Sequence, residues 1–232
     1  MELNIIHEDK HIIVTEKPSG VPSQSDKTGA KDMITILKEY LKSKYPNAKN
    51  PYIGLVHRLD RPVGGLMVFA KTKEANAKLS EEIRTKRLKK EYYAIVCGKP
   101  EKEREELRNY LKRIGSINMS KVVTKNAKRA KEAILEYEFI DSIETDEYGV
   151  LSLLKIKLKT GRHHQIRVQL SNANMPIWGD KKYNKTFAKM RKFTPIALWA
   201  SLISFNHPKK KTPYTFTLNP ENRYPFNLFS FQ

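Results

Sequence analysis

Residues 131–161 hold two long stretches, KEAILEYEFIDS and YGVLSLLKIKLKTG, separated by an acidic turn at 141–147. In LLKIKLK apolar and polar residues alternate, the period-2 signature of a strand with one face buried and one wet. Two such strands point to a sheet as the backbone of the fold. The other strand-like runs are shorter: 4–6 and 11–16 around a turn at Glu8 to Lys10, then GGLMVFAKT, KEYYAIVCG, PIALWASLISF and PYTFTLNP. NHPKKKT reads as the turn between the last two. Helical spacing is rarer. DMITILKEYLKSKY carries Ile34, Leu37 and Leu41 behind a candidate Asp32 cap, which predicts a helix over about 33–44. KEANAKLSEEIRTK spaces Ala75, Leu79 and Ile83 four apart and predicts a second. This strand-rich tally with a few helices fits an α+β class better than alternating βαβ units.

A chain of 232 residues can bury a sizeable core, and no Ser/Gly-rich linker divides it, so one domain over 1–232 is the simplest expectation. The longest apolar runs are far too short to cross a bilayer. MELNIIHEDK lacks the layout of a signal peptide, and a single Cys97 cannot form an internal disulfide. A cytoplasmic, monomeric protein follows as the expectation. Charge narrows the partner: 44 Lys and Arg against 25 Asp and Glu give +19. Basic residues cluster in RTKRLKK (84–90), KVVTKNAKRAK (121–131) and KKYNKTFAKMRK (181–192), none of which contains an acid. Such runs are often only solvated faces, but three together favour a nucleic acid, with Arg84, Lys86, Arg87, Lys89 and Lys90 as candidate contacts. None opposes a clean apolar helical face, which disfavours a membrane-surface role.

HRLDRPVGGLMVFAKT (57–72) sets Asp60 among Arg58 and Arg61, whose guanidinium groups favour an ionised carboxylate. Such a group is a poor general acid and a better nucleophile, base or anchor; a plain salt bridge to either arginine is the alternative. Gly64 and Gly65 would let a ligand come close. Tyr92 and Tyr93 alternate on one strand and so point to opposite faces. Arg162 could meet a phosphate or cap the segment after it. His163 and His164 are adjacent, a poor spacing for one metal, and no metal site is expected. Trp178 and Trp199 read as core.

The stretch GLVHRLDRPVGGLMVFAKT resembles the HRLD motif of the RluA-type pseudouridine synthases. EDKHIIVTEKPSGVPS is similar to that family's opening strand and Lys-Pro-x-Gly loop, and KKEYYAIVCG to its Lys-x-Tyr strand. LKTGRHHQIRVQLSNANMPIWGDKKY resembles its Thr-Gly-Arg-x-His-Gln-Ile-Arg segment and the Pro-Ile-x-Gly-Asp turn. The resemblance implies the pseudouridine synthase fold, with a mixed, mainly antiparallel central sheet, flanking helices and no N-terminal S4 domain. It implies that Asp60 is the catalytic aspartate attacking the target uridine, that Tyr92 stacks on the flipped base, and that Arg167 pairs with Asp60. Arg58 would replace the extruded base, while Arg61, Arg162 and His163 would contact RNA. Val63-Gly64-Gly65 departs from the Thr-Ser-Gly of many members. In QIRVQL the apolar positions alternate as in a strand, whereas the resemblance implies a helix beginning near Arg162, and the helix is preferred.

The reaction so implied is an isomerisation of uridine in ribosomal or transfer RNA, which oxidises and reduces nothing and needs no cofactor. Asp60 could form an ester at the sugar or remove the C2′ proton, and the residues do not choose between these. Extruding the base costs roughly a few kcal/mol, which cationic contacts and an aromatic platform can offset. A non-catalytic RNA-binding protein on the same fold is the alternative. A base-excising glycosidase ranks below it, because glycosidases usually employ two carboxylates and only Asp60 is assigned here.

Overall fold

The computed structural model describes residues 3–26, 28–47, 50–190 and 194–231. Lys27, and Arg191 and Lys192 of the third basic run, lie outside the described residues. In chain order the elements are β1 (Ile5–Glu8), β2 (Ile12–Lys17), α1 (Met33–Lys44), β3 (Gly54–Leu55), β4 (Gly64–Ala70), α2 (Lys73–Arg84), β5 (Lys89–Cys97), β6 (Arg104–Ile114), β7 (Met119–Val123), β8 (Lys131–Thr145), β9 (Gly149–Leu158), α3 (Gln165–Asn172), α4 (Lys185–Ala188), β10 (Leu198–Asn206) and β11 (Pro213–Thr217). They divide into two compact units, one of Met1–Lys90 with Ala200–Leu218, the other of Glu91–Trp199 with Asn219–Gln232.

In the first unit, β2 pairs antiparallel with β1 and, from Ile12↔Ala70 to Lys17↔Gly65, with β4. β4 also takes β3 and neighbours β10, which pairs antiparallel with β11. An inner strand flanked this way has no wet edge, and every residue of β4 is buried. Asp32 caps α1 as predicted, its carboxylate accepting from Ile34 N at 2.8 Å and Thr35 N at 3.1 Å. The buried stripe is Met33, Leu37 and Leu41 rather than the expected Ile34, Leu37 and Leu41. α2 buries Ala75 and Leu79 with Val14, Leu66, Val68 and Phe205. Glycine is required at position 65. Its φ is +115°, and a Cβ there would meet Ala200 O at 2.3 Å. The close approach expected there of a ligand is made by the neighbouring strand.

In the second unit, β5 pairs with β9, β9 with β8, β8 with β6 and β6 with β7, all antiparallel. The two long strands are as the sequence predicts, but β8 runs through most of the acidic stretch, to Thr145, and the turn itself is confined to 146–148. The β6–β7 hairpin is not among the predicted elements. Leu111 is the only residue of β6 that is buried, and cross-strand ion pairs take the place of an apolar stripe: Arg104 with Glu138, and Arg108 with Glu132 at 2.9 Å. Residues 165–172 form the preferred helix, not a strand. Trp178 and Trp199 are core, at 4% and 1% exposure.

Candidate active site

Asp60 sits in a loop whose two neighbours are pinned to the segment after β2. The Ser23 hydroxyl donates to Leu59 O at 2.8 Å and accepts from Leu59 N at 3.1 Å. Lys17, fully buried, donates its ammonium to Pro18 O at 2.9 Å, Val21 O at 2.8 Å and Arg61 O at 3.2 Å. Gly20 N also donates to Arg61 O, at 2.8 Å, and the Arg61 guanidinium reaches Gly20 O and Thr28 Oγ1, each at 2.9 Å. Val63 N closes a turn onto Asp60 O at 2.9 Å. The Lys-Pro-Ser-Gly loop is therefore the mould in which the Asp60 loop is cast. Both Arg58 and Arg61 are exposed, and Arg61 is bonded to that mould. His57 accepts from Val68 N at 3.2 Å through Nε2, tying the loop to β4. Burial, and then the charge of Lys90, push its pKa down to about 3, so it is a neutral fastener.

Of the other basic candidates in this unit, Arg84 pairs with Glu81 and Arg87 with Glu82, each at 2.6 Å. Lys86 and Lys89 are exposed, and Lys90 is half-buried, its ammonium pushed toward the neutral form by desolvation.

The second unit holds Tyr92, Arg162, His163 and Arg167, the last three around the start of α3. Tyr92 and Tyr93 are both buried, at 5% and 8% exposure, and Tyr93 packs edge-on against Phe231. Arg162 lends its Nε to Glu132 O at 2.8 Å, and its backbone N–H donates to Gln165 Oε1 at 2.9 Å. Arg167 is 4% exposed, with Nε on Asp180 Oδ2 at 2.8 Å and Nη2 on Oδ1 at 2.7 Å. Asp180 also accepts from the backbone of Lys182 and Tyr183. Gly179 before it takes φ +78°, and a Cβ there would meet Pro195 O at 2.3 Å. The Arg167 guanidinium lies 5.3 Å from the centre of the Tyr183 ring.

The Tyr183 hydroxyl oxygen accepts from Ser120 N at 2.7 Å and lies 2.8 Å from His164 Nδ1. Burial, with the charges of Arg167 and His163, pushes His164 down to about 2, so the ring meets the hydroxyl as a neutral imidazole. His163 reaches Ser120 Oγ at 2.9 Å and Asn118 Oδ1 at 3.1 Å. Arg167 thus belongs to a cross-linked polar cluster joining α3, β7 and the Gly-Asp turn. Asp180, Tyr183, Ser120, His57 and Lys17 carry structural roles that the sequence alone does not assign, although Lys17, His57, Asp180 and Tyr183 all fall inside its motif segments. The lysines and Arg129 of 121–131 are exposed, as are Lys181, Lys182, Lys185 and Lys189. Among the described residues no three His, Cys, Asp or Glu could hold a metal ion, and no helix is long and apolar enough to cross a membrane.

The fold defines the class. It is that of the human RNA Pseudouridylate Synthase Domain Containing 4 structure, with a TM-score of 0.77 over 97% of this chain and 91% of that one, at 23% identity. The family described as RNA pseudouridylate synthase matches residues 11–172, and the chain belongs to that family. It is 31% identical over 88% of its length to the ribosomal large subunit pseudouridine synthase C of Buchnera aphidicola, of which it spans 63%. It is 30% identical over 99% of its length to the tRNA pseudouridine synthase C of Haemophilus ducreyi, of which it spans 96%. The chain thus spans under two thirds of some relatives and nearly all of another.

Proposed function

We propose that this chain is an RNA pseudouridine synthase, converting particular uridines of structured ribosomal or transfer RNA to pseudouridine, as a monomer in the cytoplasm. The observation that carries the reading is Asp60, the one carboxylate of the HRLD loop, held between two backbone anchors inside the segment that matches the family. Fixed anchors on either side hold a reacting group in the geometry it needs before substrate arrives.

The net reaction breaks the N1–C1′ bond, forms C5–C1′, and moves the C5 proton to N1, so atoms and electrons balance with no cofactor. Asp60 opens the glycosidic bond, by attack at C1′ or by taking the C2′ proton. Tyr92 is the stacking platform for the extruded base, with stacking contributing about 1–3 kcal/mol. Arg167 supplies a fixed positive charge to the reaction, its guanidinium plane already set by Asp180. Arg58, Arg162, His163 and the basic run at 84–90 meet RNA.

The test is tritium release from RNA labelled at uridine C5, taken from cells lacking this gene, with wild type beside Asp60→Ala. Release by wild type alone supports the reading. Equal release by both variants, or none by either, overturns the role of Asp60 or the isomerase itself. Free uracil among the products would indicate base excision instead.

A further inference from the structure

We infer that two basic turns of the first unit, 84–89 and 207–211, form one phosphate-binding surface for RNA outside the residues assigned to chemistry. The choice of RNA as ligand rests on the isomerase reading; the surface itself rests on geometry. Glu82 joins the turns. Its buried carboxylate takes Arg87 Nε on one oxygen at 2.6 Å, and Asn206 N and Nδ2 on the other at 3.1 and 3.0 Å. Its carbonyl accepts from Arg87 N and Leu88 N at 2.8 and 3.0 Å. The second turn begins at the next residue. The buried His207 ring accepts from Lys209 N and Lys210 N through Nδ1 and reaches Asp9 Oδ2 through Nε2 at 2.8 Å. The two turns share the walls of a cleft of about 350 Å³, where Lys78, Arg87, His207 and Lys211 all contribute.

Charge and backbone both favour an anion. The acids on this face are already bonded, Glu74 to Lys78, Glu81 to Arg84 and Glu82 to Arg87. Lys209, Lys210 and Lys211 are exposed; Lys210 donates to the Tyr214 hydroxyl, a bond that favours its charged form. Lys86 and Lys211 occupy the left-handed region at φ 57° and 60°, where glycine or asparagine is held at lower cost. Lysine at both places keeps a cation in each turn. Cations carried on two turns tied together through Glu82 fit a repeating phosphodiester better than a single compact anion.

The test replaces Lys209, Lys210 and Lys211 with glutamine and follows a labelled RNA stem-loop by fluorescence anisotropy across a salt titration. The side chains are exposed, so melting should match wild type. The plot of log K against log salt should become shallower by about 2, at roughly 0.7–0.9 for each phosphate no longer neutralised. Asp60→Ala should keep the wild-type slope. An unchanged slope in the triple variant overturns the proposal, as does loss of binding to phosphatidylserine vesicles with RNA binding intact. If wild type releases no tritium from uridine C5 yet the slope still falls, the isomerase reading fails and the surface stands. Release with an unchanged slope removes the surface alone.

Discussion

Arg167 and Asp180 meet through two parallel hydrogen bonds of 2.8 and 2.7 Å, with both side chains at most 5% exposed. A charge pair this deep is costly to break from one side, because the remaining charge is left buried without its counterpart. Asp180→Ala should lower the unfolding free energy by about 3–5 kcal/mol, measured by urea titration, and should reduce turnover with it. Arg167→Ala should behave alike. Replacing both by apolar residues of similar volume should recover much of the stability and none of the activity. Wild-type melting of Asp180→Ala would remove the pair's structural role.

Lys17 joins the apolar strand β2 to the loop that holds Asp60. Its ammonium gathers the carbonyls of Pro18, Val21 and Arg61; in Lys17→Met, Arg61 O keeps Gly20 N and Pro18 O keeps Val21 N, while Val21 O loses this donor, at about 1–3 kcal/mol if no water reaches it. Expected outcomes are a loss of about 1–3 kcal/mol in urea unfolding and a lower kcat. The salt dependence of RNA binding should not move, since the side chain is fully buried and meets no phosphate. A variant as stable and active as wild type would show that the loop is held elsewhere.

These two residues also show what the sequence hides. The Asp32 cap and the buried run of β4 are legible because local chemistry and pattern decide them. Lysine, by contrast, reads as solvent-facing unless one knows that a later turn brings a carbonyl back to it. In QIRVQL the strand-like alternation misleads, because Gln165, Arg167 and Gln169 are as buried as the apolar residues between them. Gln165 donates to Ile134 O at 3.1 Å and Gln169 to Leu107 O at 3.0 Å, contacts no periodicity can foresee. The β6–β7 hairpin stays hidden for the complementary reason: β6 is stitched by ion pairs to distant residues. Around Asp60 the motif is visible, but the anchors that give it geometry, Ser23 and Lys17, lie 36 and 44 residues along the chain from the Leu59 and Arg61 they hold.

Gly65 and Gly98 separate two effects that glycine substitutions usually mix. Both have positive φ, +115° and +94°, but a Cβ at 65 would strike the Ala200 backbone at 2.3 Å, whereas one at 98 meets nothing within 4 Å. Gly98→Ala should therefore cost only the backbone term, about 1–2 kcal/mol. Gly65→Ala should add overpacking, for roughly 2–5 kcal/mol in all. Urea unfolding of the two variants checks the difference, and equal losses would mean that β4 and β10 can separate without penalty.

Glu8 carries the acid dependence of the first unit. Burial by itself would raise its pKa, but hydrogen bonds from Lys44 and Lys71, each charged, and from Tyr40 outweigh it and bring the carboxyl from 4.5 to about 2. Asp9 beside it is likewise lowered to about 2, burial being outweighed by the N–H groups of His11 and Ile12 and by His207. A carboxylate with a depressed folded-state pKa stabilises the fold fully above its unfolded value and loses that contribution as pH falls through the folded one. For Glu8, whose side chain is 7% exposed, this amounts to about 2–3 kcal/mol, lost between pH 4.5 and pH 2. Glu8→Gln should be less stable than wild type by about that amount at pH 7. The gap should close on acidification, with the Asp9 contribution common to both proteins. Urea titrations at neutral pH and near pH 2.5 measure it, and a gap that stays constant would mean that the network contributes packing rather than charge.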